Sequence, residues 1–80
     1  MNAKVIVTLK PTVLDPQGLT IHRSLASLGF SGVDGIRQGK YFDVTVDDAL
    51  GEAERQQVVE RLARDVLTNP VIESYRVVWT

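Results

Sequence analysis

The segment 37–44, which reads Arg-Gln-Gly-Lys-Tyr-Phe-Asp-Val, constrains the fold more than any other stretch of the chain. Gly39 is able to adopt the positive φ of a tight turn, and it stands between two stretches of extended character. Residues 40–46, after it, alternate apolar and polar side chains with the period of a strand. Residues 33–38, before it, form a weaker strand candidate. The sequence therefore predicts a β-hairpin with its turn at Gly39.

The first part of the chain predicts a strand and a helix. Residues 4–10 are rich in β-branched side chains that alternate in polarity, which is typical of a strand. Asp15 is suited to accept a hydrogen bond from a free N–H at a helix start, and Pro16 fits the first helical position. The helix should close at a left-handed Gly29, with Phe30 packing back on it. Its apolar stripe, which we expect to face the core, consists of Ile21, Leu25 and Leu28.

The last part of the chain predicts a second helix and a final strand. Acidic residues between 47 and 54 suit the positive end of a helix. The apolar stripe of this helix contains Val58, Val59, Leu62, Ala63, Val66 and Leu67. Asn69, in a left-handed conformation, and Pro70 should terminate it. Residues 71–79 are β-branched and aromatic, which predicts a strand.

The order of these elements, β-α-β-β-α-β, predicts the architecture of residues 1–80 as one α+β domain. We expect a ferredoxin-like arrangement, with a four-stranded, mainly antiparallel sheet and both helices on one face. The other face of the sheet would then be uncovered. It should present side chains that include Ile6, Thr8, Tyr41 and Thr45. An uncovered face of this mixed character favours self-association.

Composition excludes several classes of function. Eighty residues, 44% of them hydrophobic, suffice for one small core, and the absence of cysteine excludes a disulfide framework. Nine Lys and Arg against ten Asp and Glu give a net charge of −1, which argues against binding to nucleic acid or to an anionic membrane. The N-terminal residues lack the pattern of a secretory signal, and no apolar run is long enough to span a bilayer. We expect a soluble, cytoplasmic protein.

Residues with catalytic potential are few. His22 is the only histidine, and no Cys or second His accompanies it as a metal ligand. The acidic residues 47–54 lack the ligand spacing of a calcium loop. Gly39 and Lys40 lack the upstream glycine and the following helix of a phosphate-binding loop. We therefore expect no catalytic residue, no metal and no cofactor bound by this chain alone.

Four short motifs carry a resemblance to a known family. They are Lys-Pro at 10–11, Asp-Pro-Gln-Gly at 15–18, Gly-Lys-Tyr-Phe at 39–42 and Asn-Pro-Val-Ile-Glu at 69–73. In this order and at these separations the chain resembles the PurS family, the small subunits of phosphoribosylformylglycinamidine (FGAM) synthase. Thr12 is a departure, since the family often has Gly after Lys-Pro.

The resemblance implies a bridging subunit of purine biosynthesis. Its partners would be a PurL-type synthetase subunit, which uses ATP and magnesium, and a PurQ-type glutaminase subunit, which releases ammonia from glutamine. The assembly is a C–N ligase with glutamine as amido donor, and this chain, as a homodimer or a tetramer, would support ammonia transfer. The candidate contact residues are Lys10, Arg37, Lys40, Tyr41, Asn69 and Pro70.

Two other functions are compatible with the predicted layout. The first is a regulatory module of ACT-like layout that senses a small molecule, such as an amino acid, at a dimer interface. The second is an RNA-binding sheet that stacks bases on aromatic side chains. Tyr41 and Phe42 alternate to opposite faces of their strand, however, so only one of them can lie on the exposed face.

Overall fold

The strand predicted near the N-terminus is the centre of the sheet in the computed structural model, which describes residues 1–80. Asn2–Leu9 forms strand β1, Gly39–Thr45 forms β2 and Glu73–Trp79 forms β3. Both outer strands pair with β1 in antiparallel register, so the order is β2-β1-β3. Val5 of β1 lies opposite Phe42 on one side and Val77 on the other. Alternation along β1 buries Ala3, Val5 and Val7, as its sequence pattern predicts.

Two helices accompany the sheet, but only the second covers it. Pro16–Ser24 forms helix α1, and a 3₁₀ turn at Ala26–Leu28 follows it. Glu52–Leu62 forms helix α2, which continues into a π-helical turn at Ala63–Leu67. The buried core combines residues of the sheet, of α2 and of the connections at its ends: Ala3, Val5, Val7, Val46, Val59 and Ala63. Neither helix is long and apolar enough to cross a bilayer.

The predicted four-stranded sheet is wrong, because residues 33–38 join no strand. The chain runs through this segment without a turn and enters β2 at Gly39. Positive φ occurs only at Gly29 and Gly32, so the predicted hairpin turn at Gly39 is wrong as well. Gly39 is needed for a different reason: a Cβ there would lie 2.7 Å from the carbonyl oxygen of Val7 on the neighbouring strand.

Helix α1 binds the 33–38 segment instead of the sheet, so the prediction that both helices cover one face is wrong. His22 Nε2 lies 2.8 Å from the Val33 carbonyl oxygen, and the Gln38 N–H donates to the Asp15 carboxylate. Residues 10–38, here termed the arm, extend from the end of the sheet. The molecule measures 52 × 26 × 14 Å, and its radius of gyration of 16.4 Å exceeds the value of about 12 Å typical of a compact chain of this length.

The predicted start and end of the first helix are confirmed. The Gly18 N–H donates to the Asp15 carboxylate at 3.0 Å, and Pro16 occupies the first turn. Gly29 has φ of 84°, and the Phe30 N–H donates to the Leu25 carbonyl oxygen at 3.0 Å, the hydrogen bond of a Schellman ending. The Phe30 side chain is 61% exposed, however, because no further layer covers it.

Three other boundaries differ from prediction. Helix α2 begins at Glu52 after Gly51, since Asp47 instead accepts a hydrogen bond from the Ala49 N–H in a local turn. Strand β3 begins at Glu73 and not at residue 71. Asn69 does not adopt the left-handed conformation, which no residue other than glycine adopts in this chain. Its side chain stabilises the turn in the way described below.

Candidate partner-binding site

The end of the sheet where β1 stops and β3 starts is organised by Glu73, a buried carboxylate. Its side chain is 8% exposed. One carboxylate oxygen accepts from the Asn69 N–H at 2.8 Å, and the other lies 3.3 Å from Lys40 Nζ. Sequence reasoning missed this residue, although it ends the Asn-Pro-Val-Ile-Glu motif. Glu73 thereby joins the turn before β3 to the first residues of β2.

The Asn69-Pro70 turn is held by its own groups and by Lys10. The Asn69 side-chain oxygen accepts from the Val71 N–H at 3.1 Å, and its carbonyl oxygen accepts from the Glu73 N–H at 2.8 Å. Lys10 Nζ donates to the Pro70 carbonyl oxygen at 2.9 Å. The Asx turn therefore replaces the predicted left-handed residue as the reason for asparagine at this position.

Arg37 connects the arm to the same end of the sheet. Its guanidinium Nη2 donates to the Lys10 carbonyl oxygen at 3.1 Å and to the Val13 carbonyl oxygen at 3.0 Å. Five of the six candidate contact residues thus lie at this end of the sheet, and two of them, Asn69 and Lys40, contact Glu73 itself. This sheet-end cluster consists of Lys10, Arg37, Lys40, Asn69 and Pro70.

A cavity of about 140 Å³ lies between the end of the sheet and the arm. Asp15 and Glu73 line it together with Lys40 and Gln38. Backbone hydrogen bonds from Gln38 and Gly18 lower the pKa of Asp15. The Asn69 N–H, and then Lys40, lower the pKa of Glu73. Both carboxylates are ionised at neutral pH and act as hydrogen-bond acceptors, which is the role of structural groups and not of a general acid.

Tyr41 lies apart from this cluster, on the opposite face of the sheet. Residues that alternate with the buried ones form this open face, which includes Lys4, Ile6, Tyr41, Asp43, Arg76 and Val78. The Tyr41 ring is 53% exposed, and its hydroxyl donates to the Asp43 carboxylate at 2.7 Å. Lys4 Nζ lies 5.6 Å from the ring centroid. The prediction that Ile6, Thr8, Tyr41 and Thr45 share an uncovered face is confirmed.

Acid is expected to destabilise the fold through Asp15 and Glu73. The ordinary pKa values are 3.8 for Asp and 4.5 for Glu, and the folded state lowers both. The stabilisation is therefore complete above those values and is lost as the pH falls through the lower folded pKa values. Urea unfolding should give a constant free energy of unfolding between about pH 5 and 7 and a decline below about pH 4.

The variant Glu73→Gln is expected to show a shallower decline than the parent, because it removes one of the two carboxylates. Exposed Glu54 provides the matched control, Glu54→Gln. If the free energy of unfolding depended on pH in the same way for the parent and for Glu73→Gln, protonation of Glu73 would not contribute to the loss of stability in acid.

An uncovered sheet face with exposed aromatic and aliphatic side chains is typical of small α+β proteins that bind other proteins. Comparison with known families identifies the particular one. The family model described as "PurS: Phosphoribosylformylglycinamidine (FGAM) synthase" matches residues 2–80. The chain belongs to the PurS family and is a subunit of the FGAM synthase of purine biosynthesis, as its motifs predict.

Relatives from several organisms share this similarity over most of their length. PurS of Synechocystis is 39% identical over 74 residues, which is 92% of this chain and 73% of that protein. PurS of Mycobacterium leprae is 39% identical over 76 residues, 95% of this chain and 91% of that protein. The family assignment selects the FGAM synthase function over the amino-acid-sensing and RNA-binding alternatives.

Solved structures show the same architecture. PurS of Methanocaldococcus jannaschii, described as one of the subunits of formylglycinamide ribonucleotide amidotransferase in the purine biosynthetic pathway, superposes with a TM-score of 0.82. It is 36% identical, and the match covers 96% of this chain and 92% of that one. A chain in the structure of PurLQS from Thermotoga maritima superposes with a TM-score of 0.83 at 31% identity, over 96% of this chain and 94% of that one.

Proposed function

We propose that this chain is a bridging subunit that joins a PurQ-type glutaminase to a PurL-type synthetase. The observation that carries the proposal is the open face of the sheet, where exposed Tyr41 and Val78 lie among charged side chains. Exposed aromatic and aliphatic side chains with a polar surround are typical of protein interfaces. The likeness to a chain of the PurLQS structure supports the same partners.

The chemistry of the reaction explains why such a subunit would be required. The synthetase uses ATP and magnesium to activate the amide of formylglycinamide ribonucleotide, and ammonia from glutamine then aminates it. Ammonia that escapes into water at neutral pH becomes protonated and is lost as a nucleophile. A subunit that positions the two partners and excludes water between them raises the effective concentration of ammonia at the synthetase. The ligase activity and ATP binding belong to the cytoplasmic complex, and this chain contributes neither catalytic residues nor a cofactor.

The candidate residues divide into two roles under this proposal. Tyr41 contacts a partner directly, because its exposed ring projects from the open face. Lys10, Arg37, Asn69 and Pro70 position the partner-binding loops, since their polar groups are committed to bonds within the chain. Lys40 has both roles: it pairs with Glu73, and its side chain is 60% exposed.

Reconstitution from three purified subunits tests the bridging function. Glutamine-dependent formation of the amidine should require all three subunits, whereas supplied ammonium salts should support synthesis by the synthetase without this chain. Both rates are measured with and without this chain. A loss of the glutamine-dependent rate alone indicates failed ammonia transfer, whereas a loss of both rates indicates a defect in the synthetase reaction. Full glutamine-dependent activity from the synthetase and glutaminase alone would refute the proposal.

The variant Tyr41→Ala is expected to raise by about tenfold or more the concentration of this chain needed for half-maximal glutamine-dependent activity, as is typical of a central aromatic contact. The fold should persist, because the ring is 53% exposed and contributes nothing to the core. Thr45→Ala, at an exposed position of the same strand and face, is the control. An unchanged half-maximal concentration for Tyr41→Ala would exclude this residue from the interface.

A further inference from the structure

The open face of the sheet is positively charged, although the chain as a whole is negative. Its charged side chains are Lys4, Arg76 and Asp43, since the other positions of this face hold polar or apolar residues. Two positive charges and one negative charge leave the face with an excess of one positive charge, whereas the whole chain has a net charge of −1. Such a surface is suited to an acidic partner.

Asp43 and Lys4 make their contacts on the β1–β2 side of this face. The Tyr41 hydroxyl donates to the Asp43 carboxylate at 2.7 Å. Lys4 lies opposite Asp43 in the strand register, and its Nζ is 5.6 Å from the centroid of the Tyr41 ring, within the range of a cation–π contact. The only carboxylate side chain of the open face thus already accepts a hydrogen bond on β2.

Arg76, on β3, has no partner for its charge. Its side chain takes part in no hydrogen bond and no ion pair of the chain. Four of the other five arginines do bind an oxygen of the chain, namely Arg37, Arg55, Arg61 and Arg64. Because β1 lies between β3 and β2, about 10 Å separates the backbone of Arg76 from the strand that carries the carboxylate. The exposed guanidinium therefore keeps its N–H donors free for a partner.

The apolar neighbours of Arg76 suit a contact with protein. Ile6 lies opposite Arg76 on one side and opposite Tyr41 on the other, so the three residues form a row across the sheet. Val78, two residues further along β3, is 37% exposed on the same face. A guanidinium that is covered together with apolar side chains loses water, and its planar fork then holds a carboxylate through two parallel hydrogen bonds. Arginine and tyrosine are enriched among the residues that dominate the binding energy of interfaces.

We propose that Arg76 binds a carboxylate of the partner that covers the open face, and that Tyr41 and Val78 contact apolar side chains beside that carboxylate. The surface that fits this face is therefore both acidic and apolar. The inference rests on the bridging function proposed above, because it takes one catalytic subunit as the occupant. Three strands of seven or eight residues make a face of about 24 by 15 Å, which is less than the roughly 800 Å² that one partner covers in a standard interface. The open face therefore has room for one subunit only.

Charge reversal of two exposed arginines tests the role of Arg76. Arg76→Glu and the control Arg23→Glu change the net charge of the chain equally, and neither arginine has a partner within the chain. The measurement is the concentration of this chain that gives half-maximal glutamine-dependent activity with the synthetase and the glutaminase. Arg76→Glu should raise this concentration by about tenfold or more, because two carboxylates would then face each other. Arg23→Glu, on α1, should stay within about twofold of the parent, since salt screens exposed charges outside the contact.

Arg76→Lys separates the shape of the guanidinium from its charge. It should raise the half-maximal concentration by about threefold, since lysine keeps the charge but lacks the planar fork. Added sodium chloride should narrow the difference between Arg76→Glu and the parent, because salt screens both the attraction in the parent and the repulsion in the variant. A variant that only disturbed the fold would not respond to salt in this way.

The remaining measurements separate this inference from the bridging function. Circular dichroism should show that each variant is folded, and the ammonium-dependent rate of the synthetase should not change. If the two catalytic subunits need no third chain for glutamine-dependent activity, the bridging function and this inference both fail. If they need it but Arg76→Glu behaves like the parent or like Arg23→Glu, only the role of Arg76 is refuted. A difference in mass between Arg76→Glu and the parent in light scattering would make a second copy of this chain the occupant, which would also overturn the inference.

Discussion

Replacing Gly18 by alanine should lower the free energy of unfolding by about 1 to 3 kcal/mol and release α1 from the 33–38 segment. A Cβ at Gly18 would lie 2.4 Å from the Ile36 carbonyl oxygen and 2.6 Å from the Asp15 carboxylate. A backbone oxygen cannot rotate away as a flexible side chain can, so the helix must move. Helix propensity alone predicts the opposite sign, since alanine favours a helix over glycine by up to about 1 kcal/mol.

Urea unfolding gives the change in stability, and amide hydrogen exchange of residues 16–24 reports the release of α1. Gly35→Ala is the matched control, because a Cβ at Gly35 has no heavy atom within 4 Å and the residue lies in the segment that α1 contacts. A Gly18→Ala protein as stable as the Gly35→Ala protein would show that close packing at Gly18 does not hold the arm together.

Replacing Val59 by aspartate should lower the free energy of unfolding by more than about 3 kcal/mol, because an unpaired carboxylate would enter the core. Val59 is fully buried and packs in the same cluster as Val5 and Val7. A domain of this length is stabilised by roughly 4 to 12 kcal/mol, so most molecules should lose their fixed structure or become easily unfolded. The loss should be visible in near-ultraviolet circular dichroism from Trp79.

Two further variants give this experiment a graded result. Val59→Ala removes only two methyl groups and should cost about 1 to 3 kcal/mol. Gln57→Asp introduces the same charge at an exposed position of the same helix and should change the stability by less than about 0.5 kcal/mol. If Val59→Asp and Gln57→Asp unfold at the same urea concentration, α2 does not cover the sheet in the way described.

Features that depend on neighbouring residues were predicted correctly from the sequence. The alternation in β1, the hydrogen bond from Gly18 to Asp15 and the left-handed Gly29 each involve groups close together in the chain. The fourth strand and the hairpin were wrong because residues 33–38 bind α1, and because Gly39 serves the close approach to Val7 and not a turn. The apolar stripe of α1 was expected to face the core, but Ile21 and Leu28 are exposed because α1 packs on residues 33–38 and not on the sheet.

The sequence indicated residue types for the candidate site, but it did not predict how their side chains are arranged. Asparagine and proline in a turn, and lysine near a strand end, are recognisable as residue types with a role at these positions. The buried carboxylate of Glu73 was missed because its burial arises only when β2 and β3 meet on either side of β1. Tyr41 was assigned to the exposed face by strand alternation, and it lies there.

The position of β1 in the sheet also governs when the protein can fold during synthesis. β1 is the first strand made, yet one of its two neighbours, β3, is the last, and Ala3 pairs with Trp79. Contacts between such distant parts of a chain form slowly, because a long loop must close before they gain any stability. The edge of β1 that pairs with β3 therefore stays unpaired until residues 73–79 have been synthesised.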